Sequence, residues 1–178
     1  MERERFRFIF FLRDSREDAM RRKGAIVRRG SQFIELDLKF ARLEEGFDLS
    51  SNLGCIETCV LPSGDSGQAL NFGSLSDGFA LMREEKYWLG HEFFERFWRG
   101  TDGEESIFFH GLVLLCVSMV HYQMGKEGNA KRLFLRAVNS LSRFMDKEFA
   151  ITVFSYPLPE DLIEALERKA LGFIAVHR

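Results

Sequence analysis

Lys86-Tyr87-Trp88-Leu89-Gly90-His91-Glu92-Phe93-Phe94-Glu95-Arg96-Phe97-Trp98-Arg99 places one histidine and two carboxylates among six aromatic residues. At about 100° per residue in a helix, His91, Glu95 and Trp98 fall along one face. Glu92 lies a step round from His91 and shares its own face with Arg96. The stretch starts after a charged pair and stops at Gly100, so the pattern predicts a helix over 86–99.

Around this helix the hydrophobic period is 3.6. Ser74 or Ser76 is placed to cap a helix over 77–84. Thr101 or Asp102 opens a long helix over 104–124, apolar nearly all round and therefore central. A further helix spans 129–147 with Leu133, Phe134, Ala137, Leu141 and Phe144 inward. Residues 150–178 have two readings. One is a strand–helix–strand unit returning to an N-terminal sheet, with Phe173 to Val176 as the last strand. The other is a final helix from Pro159 to Ala170 with a packed coil tail.

Before residue 62 the period is two. Arg5 to Leu12 reads as a strand with Phe6, Phe8 and Phe10 on one face. Arg16 to Lys23 reads as a short helix stopped by Gly24, and 25–28 with 32–40 as a hairpin about Arg29-Gly30. In its second arm Ile34, Leu36, Leu38 and Phe40 face a core, while Glu35, Asp37 and Lys39 are expected outward. A loop rich in Gly, Ser and Asn then leads to a strand over 55–61. The Gly- and Ser-rich run after Pro62 is a linker. The expected organisation is α+β overall: a small α+β module over 1–64, a linker over 65–74, and an all-α bundle of four or five helices over 75–178.

Composition narrows the function classes. The 178 residues are 46% hydrophobic and 29% charged, ordinary values for a folded domain, with nineteen Phe and only three Pro. Residues 1–30 carry ten Lys or Arg against five Asp or Glu, an excess of base on a chain of net charge −2. Three cysteines without metal-finger spacing fit a reducing compartment. The apolar run Phe8 to Leu12 is too short for a signal peptide, and Gly111 to Val120 too short to span a bilayer. A soluble cytoplasmic protein without membrane partners is expected.

Three sequence features resemble the family called domain of unknown function 309. The first is a small residue followed by His-Glu-x-x-Glu-x-x-Trp, here Gly90 to Trp98. The second is an apolar helix with an early Gly111 and a late His121. The third is Gly-x-x-Gly-Asn-Ala-x-x-Leu, here Gly125 to Leu133. The resemblance covers about residues 75–145 and implies a compact helical bundle of unassigned biochemical role. In that family Gln usually precedes the early glycine and recurs three residues after it. Here these positions hold His110 and Leu114.

His91, Glu92, Glu95 and Trp98 are the candidate site, with His110 or His121 as the contributor from the next helix. The leading functional reading is a binding or interaction module. The enzyme alternative is metal- or carboxylate-assisted hydrolysis, with Glu92 or Glu95 as general base. His91 and Glu95 are the metal candidates. A third ligand would have to come from His110 or His121, which lie about 16 Å apart along one helix, so at most one of them joins. No cofactor is expected beyond that possible divalent metal. Self-association suits the surplus of aromatics, as does a large core. A third class is RNA or single-stranded DNA binding through Arg3, Arg5, Arg7, Arg28 and Arg29, where Arg and Phe alternate.

Overall fold

The computed structural model describes residues 6–13, 24–62, 74–145 and 154–176. The chain divides into two compact units, Met1–Asn71 and Phe72–Arg178. The fold is α+β: a four-stranded antiparallel sheet in the first unit, and helices in the second.

The sheet has the order β2-β3-β1-β4, with β1 at Phe6–Leu12, β2 at Ile26–Arg29, β3 at Ile34–Phe40 and β4 at Glu57–Pro62. In register, Phe8 faces Leu38 and Val60, and Phe10 faces Leu36 and Thr58. Because alternate side chains share a face, Phe8, Phe10, Leu12, Val27, Leu36 and Leu38 form one core. The expected helix over 16–23 lies outside the described residues.

Two expectations in this unit are corrected. The stretch read as a loop contains helix α1, Leu43–Leu53, with Glu44 and Glu45 in its first turn. Glycine at position 46 lets α1 press onto the sheet: a Cβ there would sit 2.2 Å from the Phe8 ring. Gly54, at φ 64°, ends the helix in the left-handed conformation that glycine adopts without strain. Glu35 and Asp37 do not face outward. They are 0% and 4% exposed, and both accept from the guanidinium of Arg28, itself 2% exposed. Burial alone would raise the Asp37 carboxyl, but hydrogen bonds from Arg7 and Arg28 outweigh it and hold it low. At Glu35 burial dominates and pushes the carboxyl up against the pull of Arg28.

The helical unit contains α2 (Leu75–Arg83), α3 (Tyr87–Gly100), α4 (Gly103–Gln123), α5 (Glu127–Leu141), a 3₁₀ turn (Ser142–Phe144) and α6 (Glu160–Val176). Ser74 opens α2 with a capping box, its N–H donating to Asp77 Oδ2 at 2.8 Å. By length and composition α4 could cross a membrane, although the apolar run alone is short. That composition is accounted for by burial between α3 and α5, as Phe108, Phe109, Leu112, Leu115, Cys116 and Met119 are all 0% exposed. Phe173 to Val176 continue α6, so no returning strand forms there, and Leu162, Ile163, Leu166 and Ala170 of α6 complete the core.

Glycines set the helix spacing. A Cβ on Gly78 would stand 2.3 Å from Phe93, and one on Gly111 2.8 Å from Leu141. Gly111 thus permits a close approach of α4 and α5.

Candidate functional site

Helix α3 begins after Lys86 and runs through Gly100, so His91, Glu95 and Trp98 share a face as the spacing requires. On the same helix Tyr87, Phe93 and Phe94 are buried. Glu92 also turns inward, at 5% exposure, whereas the side chains of His91 and Glu95 remain 15% and 20% exposed. His91 Nδ1 lies 3.8 Å from Glu92 Oε1, and His91 Nε2 lies 3.9 Å from Glu95 Oε2. Both distances exceed a hydrogen bond and leave only a charge–dipole or ion-pair attraction. Glu95 instead accepts from Arg99 Nη2 at 2.8 Å, one turn on.

The aromatic rings split the histidines rather than gathering them. Trp88 stacks on His91 with centroids 5.0 Å apart, and Trp98 stacks on His110 of α4 at 4.6 Å. Phe97 stacks on Phe109 at 5.2 Å, and Gly90, seven residues earlier, faces Cys116, seven residues later, so α3 and α4 run antiparallel. This register sets His110 against the C-terminal end of α3 and His121 beyond the level of His91. His110 therefore meets Trp98, about 10 Å along the axis from His91. Among the described residues no group of three or more His, Cys, Asp or Glu could hold a metal ion. The third ligand that the metal alternative needs beside His91 and Glu95 is not found among the described residues.

Burial lowers the basicity of both α4 histidines, with Arg136 adding to the effect at His110, and Lys126 and Arg132 at His121. Both are biased towards neutral imidazole. His121 Nδ1 is buried and has no hydrogen-bond partner among the described residues. A cavity of about 590 Å³ opens at the α3–α4 turn, lined by residues from Arg99 to Glu105 and by Phe173. None of His91, Glu92 and Glu95 lines it.

The arginines proposed for nucleic acid fare differently from one another. Arg28 is buried against Glu35 and Asp37, and Arg7 donates to Asp37 at 2.8 Å, so their charges are already neutralised. Arg29 is exposed, and Arg3 and Arg5 lie outside the described residues. The face expected to meet phosphates is in this part an internal ion cluster.

Sequence reasoning missed one polar cluster. Glu85 takes a left-handed conformation, φ 56°, between α2 and α3 and is 6% exposed. Tyr156 Oη donates to Glu85 Oε2 at 2.6 Å, and Gln123 Nε2 donates to the Glu85 carbonyl at 2.9 Å. Tyr87 Oη accepts from the Leu158 N–H at 3.1 Å. Burial pushes both phenols well above the usual tyrosine range. An isolated Gln closing an apolar helix was the available sequence signal.

Residues 75–133 match the model of the family described as domain of unknown function (DUF309). The matched segment runs from the first residue of α2 into α5 and holds every candidate from His91 to His121. It carries the family that the His-Glu-x-x-Glu-x-x-Trp motif resembles. No curated protein and no solved structure matches the chain.

Proposed function

We propose that the helical unit is a binding module whose site is the strip formed by His91, Glu95 and Trp98 of α3 with His110 of α4. The observation that carries this reading is the Trp98–His110 stack at 4.6 Å, with both rings half-buried at the surface. A half-exposed indole fixed by a neighbouring ring loses little freedom when a partner covers it, which is why tryptophan is over-represented among the residues that dominate binding. The His110 imidazole, biased by burial towards its neutral form, can be covered without the cost of desolvating a charge. Hydrolysis would need a carboxylate and a further ligand converging on His91. Of the two carboxylates beside His91, Glu95 is engaged by Arg99 and Glu92 is buried.

In this reading the helical unit is a domain in its own right. A reducing, cytoplasmic setting suits its partner chemistry and the three free cysteines. Selection of a random-peptide display library on the full chain tests the proposal, with W98A/H110A as counter-screen. Enrichment of peptides that bind the parent and not the variant is expected. A selection that returns no peptide dependent on Trp98 and His110 overturns it.

A further inference from the structure

The turns that join α2 to α3 and α4 to α5 have the same backbone. Glu85 N–H donates to the Met82 carbonyl and Lys86 N–H to that of Leu81; Gly125 N–H donates to the Tyr122 carbonyl and Lys126 N–H to that of His121. Glu84 and Met124 close the leading helices at φ −81° and −85°. The next residue is left-handed in both turns, at φ 72° on Gly125 and φ 56° on Glu85. Glycine enters that conformation without strain, whereas glutamate does not. The turn alone therefore does not account for Glu at 85, and its side chain and surroundings must. Tyr87, which follows the first turn, is buried, while its match after the second, Glu127, is exposed.

Donors and acceptors around Glu85 do not balance. Gln123, 2% exposed, commits both amide hydrogens: Nε2 donates to the Glu85 carbonyl at 2.9 Å and to Tyr156 Oη at 3.1 Å. Turning the amide over would set its oxygen against the Glu85 carbonyl oxygen, two acceptors with no proton between them. Gln123 Oε1 is thus fixed on the other side, buried and with no donor among the described residues. Tyr156 cannot supply one, because its proton goes to Glu85 Oε2 at 2.6 Å. Tyr87, 0% exposed, is left with the converse. Its hydroxyl accepts from the Leu158 N–H at 3.1 Å, and its own proton has no acceptor among the described residues. Burial holds that phenol in its protonated form. The Tyr87 and Tyr156 rings lie 6.1 Å apart, so one unmet acceptor and one unmet donor stand in the same cluster.

Buried polar groups without a protein partner are commonly joined to one another by ordered water. We propose that the Glu85 turn is a binding site for one internal water molecule, which donates to Gln123 Oε1 and accepts from Tyr87 Oη. The guest has to give one proton and receive another. A metal cation or an ammonium ion cannot accept from Tyr87, and a halide or a carboxylate cannot donate to Gln123. Glu85, Tyr87 and Gln123 are all buried, which favours water over any larger hydroxyl compound. Held there, the water links the start of α3 to the end of α4 and, through Tyr87, to the segment that leads into α6. None of its residues belongs to the strip of His91, Glu95, Trp98 and His110.

Oxygen-17 relaxation dispersion on the full chain tests it, because the amplitude counts waters that stay inside a protein for longer than it tumbles. Gln123→Met and Tyr87→Phe each remove one partner, and each should lower the amplitude by the contribution of one water. The double variant should lose no more than either single one, since both substitutions act on the same molecule. Far-UV circular dichroism checks that the variants fold. A second measurement needs no variant. A high-resolution crystal structure of the parent should show one oxygen within hydrogen-bond reach of both Gln123 Oε1 and Tyr87 Oη. Parental amplitude in either folded single variant, losses that add in the double, or a parent crystal with no oxygen in that place would each overturn the proposal.

Discussion

Arg28 stands between Glu35 and Asp37 with all three side chains almost wholly out of water. Removing the cation from such a cluster leaves carboxylates buried without their partner, which generally costs more than the intact pair contributes. Arg28→Met should therefore destabilise the protein by about 3–5 kcal/mol in urea unfolding. Glu35→Gln, which removes a carboxyl already raised by burial, should cost clearly less. Alternation in β3 made Glu35 and Asp37 look like solvent-facing residues, because an HPHP pattern does not distinguish a charge in water from a buried one facing an arginine. The same ambiguity did not affect His91, Glu95 and Trp98, whose common face follows from helical spacing alone. At the α4 histidines the sign of the pH effect is fixed by their direction. Their folded values lie below the ordinary 6.5, so the stability they protect is fully present above pH 6.5 and is lost as pH falls through the folded values. Proton NMR titration should show both imidazoles titrating below 6.5, with Arg136→Gln moving His110 upward.

Among the elements, α3 was legible to within a residue at each end, because its aromatic stripe and the following glycine agree. α1 was not: Ser50, Ser51, Asn52 and Gly54 carry loop chemistry, and the helix is held by the contact of Gly46 with Phe8, a residue distant in sequence. Glycines on facing helices make a contrast that melting experiments can read. Gly78→Ala drives a methyl into Phe93 and should cost about 1–3 kcal/mol. At Gly90 a Cβ would meet Cys116 Sγ at 3.5 Å, an ordinary contact. Gly90→Ala should thus be neutral, or stabilise by about 0.5–1 kcal/mol through reduced freedom of the unfolded helix. The small residue before His91 is tolerated by packing there, whereas the one at 78 is required by it.

For the whole molecule, the period change from two to 3.6 made the α+β class readable. The course of residues 154–176 was not, since Phe173 to Val176 suit a strand as well as a helix end. What decides them is the core: α6 places Leu162, Ile163 and Leu166 against the bundle, and Phe173 stands 5.4 Å from the Phe108 ring. Tyr156 ties the segment before α6 to Glu85, 71 residues earlier. Tyr156→Phe deprives a buried carboxylate of that donor and should lower stability by about 1–3 kcal/mol, read by thermal unfolding.

The left-handed turn at Glu85 bears on where this chain can be cut. The family match ends at residue 133, yet the donor to Glu85 stands at 156, and the cover over Phe108 arrives at 173. A fragment trimmed to the matched residues would strip Glu85 of its Tyr156 donor at the first helical junction and open aromatic rings around Phe108 to water. Such a fragment should sediment as aggregate, whereas one extended through Val176 should stay dispersed. The segment that matches the family model is here shorter than the segment that closes the helical core.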